Sequence, residues 1–275
     1  MFAKLLKYEW KANAPLLGVL SAAAVGVGLM GGIAMRVSAI PAEGELGEAL
    51  SNSFIGLSYT FVMFALMLYV AAVSIILIYR FYKSKFAEQG YLTFTLPVTG
   101  HQILLSSLVS MLLWEAIAVI TAIASMLIMS LIDSIGREAT DAVVSMREIF
   151  DDMFFYLNEK ELAQLRLTAL LTLLQIPVAW VYGNILTMIS ITIGAAWAKK
   201  HKLLASFAIF YGASYLLSFV SGIITAMAAI VGSLEENPFL TVQAGMAANL
   251  VIEILLTVGG YFLAHYMMTK KLNLK

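Results

Sequence analysis

The chain contains no cysteine, only three histidines and five prolines among its 275 residues, and just 12% of it is charged. Without cysteine there is no disulfide framework, no thiolate ligand for zinc and no thiol nucleophile. His101, His201 and His265 fall at no metal-ligand spacing, which speaks against a His-rich metal site. Basic excess is missing too, since 17 Lys and Arg meet 17 Asp and Glu, and nucleic-acid binding needs such an excess. What fills the chain instead is apolar: 61% of it is hydrophobic. Soluble domains run at about 45–50% apolar and about 25% charged, so an ordinary soluble enzyme is excluded.

The few charges are clustered. Residues 12–35, 54–79, 167–198 and 203–234 carry none; 102–132 carry only Glu115 and 237–269 only Glu253. Each stretch exceeds the roughly 20 apolar residues that a helix needs to cross a bilayer. Barrel strands run about 10 residues with strict alternation, whereas residues 66–79 are apolar all round. In lipid every backbone group must be paired internally, so helices are expected. The predicted fold is all-α and membrane-integral, one domain over 1–275. Its six spans lie at about 14–35, 54–79, 102–132, 167–198, 203–222 and 243–268.

Orientation follows from Lys and Arg. The N-terminus, the 80–101 loop, the 199–202 turn and the C-terminus hold twelve basic residues against only Glu9 and Glu88. The opposite loops hold five basic residues and thirteen acids. The basic side is expected to be cytoplasmic, with both termini inside and the chain multi-pass in a bacterial plasma membrane. Lys4, Lys7 and Lys11 resemble the start of a signal peptide. The apolar run continues to Met35, however, beyond the usual 7–15 residues, so a retained span is expected.

Several segments carry more pattern than a connector needs. Phe2, Leu5, Leu6 and Trp10 recur at helical spacing with lysines between them, which predicts an interfacial helix over 1–13 lying in the membrane surface and bent at Asn13 and Pro15. The 80–101 loop predicts a short amphipathic helix through Phe86, ended by Gly90. An extended piece at Leu96-Pro97 follows, then a helix capped by Thr99 with Gln102 three residues on. Over 133–166, Val143, Met146, Phe150, Phe154 and Leu157 recur at helical spacing with acids opposite, and Asn158 and Glu161 form a cap-like pair. That loop reads either as a vestibule favouring cationic cargo or as an ordinary solvated acidic face. Ser221-Gly222 and Glu235-Glu236-Asn237-Pro238 break the following apolar run, which predicts a re-entrant outer hairpin over 223–242, with one long tilted helix as the alternative.

Two acids fall inside spans. Glu115 lies roughly 21 Å of helical rise from His101, and Glu253 roughly 16 Å from Val242, so both are expected near the midplane. A charged acid there costs about 2.5–3.5 kcal/mol on insertion scales. Glu115, Asn184, Asn249 and Glu253, with Gln175 nearby, are therefore candidates for the lining of a pathway or a dimer seam, or for hydrogen-bonded carboxyls within the bundle. Gly26-Val27-Gly28-Leu29-Met30-Gly31 has the letters of a dinucleotide loop, but it sits inside an apolar helix with no strand before it. Gly28 and Gly32 read instead as a close helix–helix contact.

Glu88-Gln89-Gly90 followed by Leu96-Pro97-Val98-Thr99-Gly100-His101-Gln102-Ile103 resembles the cytoplasmic segment between spans two and three of the type-2 family of ABC-exporter permeases. The order of an interfacial helix and six spans is similar too. The resemblance implies a permease subunit whose segment around Lys85, Phe86, Glu88, Gly90, Leu96, Pro97, Thr99 and His101 forms a coupling helix for a separate ATPase. It implies a second permease subunit, identical or related, and cargo such as a peptide or drug-like amphipathic molecule. Gly100 and His101 stand where that family has Arg or Lys, which bears on the charge contacts of the coupling. No Gly-Lys dipeptide exists, so no Walker A loop is encoded; no cofactor is expected here, and ATP and Mg belong to the partner. Two other classes are open. One is an ATP-independent transporter relaying protons through Glu115 and Glu253, although no inverted repeat is visible. The other is an intramembrane enzyme, for which HExxH, GxSxG and paired carboxylates within a span are all missing.

Overall fold

A computed structural model describes residues 2–38, 44–87, 90, 97–134, 159–198, 200–233 and 238–270. Among them there are six helices and no strand: α1 (Phe2–Ser38), α2 (Glu45–Phe86), α3 (Gly100–Ser134), α4 (Glu159–Trp197), α5 (Lys202–Ser233) and α6 (Pro238–Lys270). All six are long and apolar enough to cross a membrane, so the chain is a multi-pass membrane protein. Large apolar side chains such as Phe61, Met67, Leu173, Phe219, Leu255 and Phe262 stay exposed, as a lipid-facing surface requires. Hydroxyls inside the helices are satisfied locally. Ser21, Thr60, Ser125, Thr172 and Ser190, among others, donate to the carbonyl four residues back, which hides a polar group where no water is available.

The chain divides into two compact units, each described by itself. One contains residues 3–77 and 109–150, and so holds α1, most of α2 and most of α3. Its centre is apolar and buried: Leu17, Val62, Leu66, Val73 and Ala118 are at most 2% exposed. Small residues bring α1 against α3. An added Cβ on Gly28 would lie 2.5 Å from the Ser125 carbonyl oxygen, and one on Gly32 would lie 2.9 Å from that of Met129. The glycine pair expected at a helix contact is therefore at one, and the GxGxxG letters serve packing.

From Phe2 onward the segment expected as an interfacial helix over 1–13 is continuous with the first span. α1 runs unbroken from Phe2 through Asn13 and Pro15. Proline lacks the N–H that would bond the Lys11 carbonyl, but side-chain contacts hold this stretch against α3. Trp10 stacks on Trp114 with ring centroids 4.6 Å apart, and the buried Asn13 donates to Ser110 Oγ at 3.5 Å. Ser21 and Tyr69 Oη share a 2.8 Å hydrogen bond between α1 and α2.

The other unit holds residues 78–108 and 151–275, in which α4, α5 and α6 pack pairwise. The chain passes from α4 to α5 over residues 198–201, close to the turn expected at 199–202. Ala198 N–H bonds the Gly194 carbonyl at 3.0 Å, and Ser206 Oγ–H bonds Lys202 O at 2.8 Å. Gly194 lets the two helices meet, since a Cβ there would come within 2.6 Å of Ser206 N. Gly194→Ala is expected to cost about 1–3 kcal/mol. Gly183→Ala, in open space on the same helix, should not lower the unfolding temperature in detergent.

Two expected breaks are absent. Ser221-Gly222 lies inside α5, which continues to Ser233, and α6 then opens at Pro238, so among the described residues there is no separate hairpin over 223–242. A glycine within a helix costs only about 1 kcal/mol. That is less than the several kcal/mol of leaving backbone groups unpaired in lipid. Likewise the short helix expected through Phe86 is the end of α2 itself, because no Gly or Pro intervenes between Ile78 and Phe86. Pro238 opens α6 as expected, and α4 starts at Glu159, one residue after the expected cap. Most of the outer loop, 135–158, lies outside the described residues.

Candidate functional site

The unit of α4, α5 and α6 forms an open-sided cavity of about 880 Å³. Its polar groups come from helical stripes. Asn249 and Glu253 lie one turn apart on α6; Ser218, Ser221 and Thr225 follow i, i+3 and i+7 on α5; Gln175 and Tyr182 are two turns apart on α4. These side chains meet in an ordered relay. Ser221 Oγ donates to Asn249 Oδ1, and Asn249 Nδ2 donates to Glu253 Oε1 at 3.3 Å. Gln175 Nε2 donates to Glu253 Oε2 at 2.9 Å. Both oxygens of the carboxyl thus accept an amide N–H, and Gln175 Oε1 is buried with no hydrogen-bond partner. Among the described residues no Lys, Arg or His lines the cavity. A second α4–α6 clasp lies nearby, where Gln243 Nε2 donates to Gln164 O at 3.0 Å and to Thr168 Oγ1 at 3.1 Å.

Beside this chamber lies a second one of about 330 Å³, walled by apolar side chains including Ile185, Ile189, Ile209 and Leu263. The two chambers share Tyr182, Leu217 and Leu256. A space with one carboxyl and several hydroxyls at one end and a hydrocarbon wall at the other suits a molecule of mixed polarity.

Of the four residues expected in a pathway or seam, Asn249 and Glu253 meet. Asn184 does not line the polar chamber: it is buried, and its amide donates to Trp180 O at 3.2 Å on its own helix. Glu115 is partly buried in the other compact unit. Ser221 and Tyr182 were not singled out from the sequence as site residues. Ser221 read as half of a helix break, although its spacing to Ser218 and Thr225 marks one face of α5.

The residues expected to couple to a partner divide. Lys85 and Phe86 are each only 4% exposed, so their side chains turn into the protein, and Phe86 packs edge-on against Phe81 at 5.8 Å. Gly90 is buried, its N–H bonded to Ala87 O at 2.8 Å. Pro97, Thr99 and His101 are exposed. Glu88 and Leu96 lie outside the described residues. Thr99 caps α3 as expected: its carbonyl accepts from Gln102 N at 2.9 Å and its Oγ1 lies 3.4 Å from the same nitrogen.

His101 has a partner that no local pattern shows. Its ring stacks on His265 with centroids 3.5 Å apart and planes within 9°, and its Nδ1 lies 3.3 Å from Tyr261 Oη. Gly100 sits against the same turn, where a Cβ would lie 2.8 Å from Thr269 Cγ2. The first turn of α3 is thereby clasped to the last turns of α6. Among the described residues no group of three or more His, Cys, Asp or Glu side chains is placed to hold a metal ion.

Comparison with known protein families, curated proteins and solved structures finds no significant match to this chain.

Proposed function

We propose that the chain is the permease subunit of an ATP-driven ABC exporter, not itself an enzyme. In this reading it lies in a bacterial plasma membrane with both termini cytoplasmic. It pairs with a second permease subunit and with a separate ATPase that binds ATP and Mg. The observation that carries the reading is the turn before α3. The Leu-Pro-Val-Thr-Gly-His-Gln-Ile segment that resembles the exporter motif enters a helix capped at Thr99, and it presents Pro97, Thr99 and His101 outward. With Lys85 and Phe86 buried, the described residues that support the proposed docking surface are 97–101.

The test is co-purification. Membranes carrying the tagged chain and its ATPase should yield both together, and reordering residues 97–101 should abolish capture of the ATPase and stimulation of its hydrolysis. Undiminished capture and stimulation by a well-folded reordered variant would defeat the proposal.

The polar relay at Glu253 favours a second reading, an ATP-independent transporter using that carboxyl for protons. It requires uptake in proteoliposomes driven by a pH gradient alone, which the exporter reading does not.

A further inference from the structure

We infer that the paired chambers of the α4–α5–α6 unit bind a cationic amphiphile: a protonated amine beside Glu253, with its apolar body in the adjoining chamber. The inference deepens the transport reading, on which the ligand's status as cargo rests.

Three independent observations converge on this class. The first is charge. Among the described residues Glu253 is the only Asp or Glu lining either chamber, and no basic side chain lines them. Nor does any Lys or Arg occur within 167–198, 203–234 or 237–269 to neutralise it. Buried charges in membranes are ordinarily paired, so the site lacks one cation.

The second is the hydrogen-bond count. Each carboxylate oxygen has two acceptor positions. One on each is filled, by Asn249 and by Gln175, which orients the carboxylate and leaves acceptor capacity on both oxygens. Gln175 Oε1, buried with no partner, adds a third acceptor at the same place. An ammonium group brings three N–H donors and no acceptor, which is the complement of such a set. An anionic ligand would instead meet the like charge of the carboxylate with no cation beside it to offset the repulsion.

The third is shape. The apolar chamber adjoins the polar one along Tyr182, Leu217 and Leu256, so a ligand reaching Glu253 has hydrocarbon walls next to it. A small inorganic cation would leave that chamber unused, and a neutral lipid chain would leave the carboxylate unanswered.

The experiment uses the full chain in phosphatidylcholine nanodiscs and the environment-sensitive probe dansylcadaverine, a primary ammonium joined by a short alkyl chain to an apolar fluorophore. Its neutral counterpart is N-pentyl dansylamide. Wild type is expected to bind the ammonium probe at least about tenfold more tightly than the neutral one, the range expected of one charge-assisted hydrogen bond. Glu253→Gln should erase that preference while leaving the neutral probe unaffected, and Glu253→Asp should retain part of it. Ile189→Trp, which fills the apolar chamber, should weaken both probes. Equal affinity of wild type for the two probes overturns the inference without relying on any variant's fold, and so does an undiminished preference in Glu253→Gln. Neither measurement involves an ATPase. Loss of charge preference would leave co-purification standing, and failure to capture an ATPase would leave the ligand class standing.

Discussion

Leucine at Gly28 or Gly32 should largely abolish the folded, detergent-extractable protein, while leucine at Gly26 should leave it intact. The three glycines lie within seven residues of one helix and have the same intrinsic propensity. They differ in what faces them. A Cβ at Gly26 meets nothing within 4 Å, whereas at Gly28 it meets Ser125 O at 2.5 Å and Ser125 Cα at 3.0 Å. At Gly32 it meets Ile132 Cβ at 2.8 Å and Met129 O at 2.9 Å. Most of these obstacles are backbone, which cannot swing aside as a side-chain tip does. Overpacking by a few methylenes costs about 1–3 kcal/mol. A leucine wedged against backbone separates α1 from α3, and lipid offers no hydrophobic force to restore the contact. Gly31 is intermediate, because its nearest obstacle is Val62 Cγ2, the end of a side chain. Size-exclusion profiles and melting curves of the four variants check this order. Equal profiles for Gly26→Leu and Gly28→Leu would mean that α1 does not meet α3 as described.

Asn249→Leu should destabilise the protein by about 1–2 kcal/mol, since it removes one interhelical hydrogen bond, from Ser221 on α5, and one within α6, to Glu253. If the chain transports as proposed, the same change should reduce transport by about tenfold or more, since the carboxylate loses an orienting donor of the charge-assisted kind. Asn249 is the middle of the relay, accepting from Ser221 and donating to Glu253. Its loss strands a hydroxyl on α5 and half of a carboxylate on α6. Gln175→Leu is the instructive contrast. It also removes a donor to Glu253, but it takes away the buried, unpartnered Oε1 at the same time. Relief of an unsatisfied buried acceptor is worth about 1–3 kcal/mol, so the two changes nearly cancel and stability should barely move. Thermal unfolding in detergent separates the two variants; equal losses would contradict the relay.

The sequence was legible where chemistry is local. Runs with at most one charge mark the six spans, Thr99 marks the start of α3, Pro238 marks the start of α6, and Gly28 and Gly32 mark a close contact. Asn249 and Glu253 share a face by spacing alone. It was misleading where a weak local signal met a strong constraint. Pro15 and Gly222 suggest breaks, yet each sits within a continuous helix, because a lost bond or a glycine costs less than unpaired backbone in lipid. It was silent where partners are distant in the chain. Nothing near His101 points to His265, and nothing near Lys85 foretells its burial, since both depend on which helices become neighbours.

The stacked histidines have a mechanical consequence. From His265 to Glu253 is twelve residues of uninterrupted helix, a strut about 18 Å long. The turn at residues 97–101 rests on one end of that strut and the carboxylate is fixed to its other end. A helix resists compression far more than a loop does, so a push on the exposed turn is delivered to the chamber as displacement of α6 instead of being absorbed along the way.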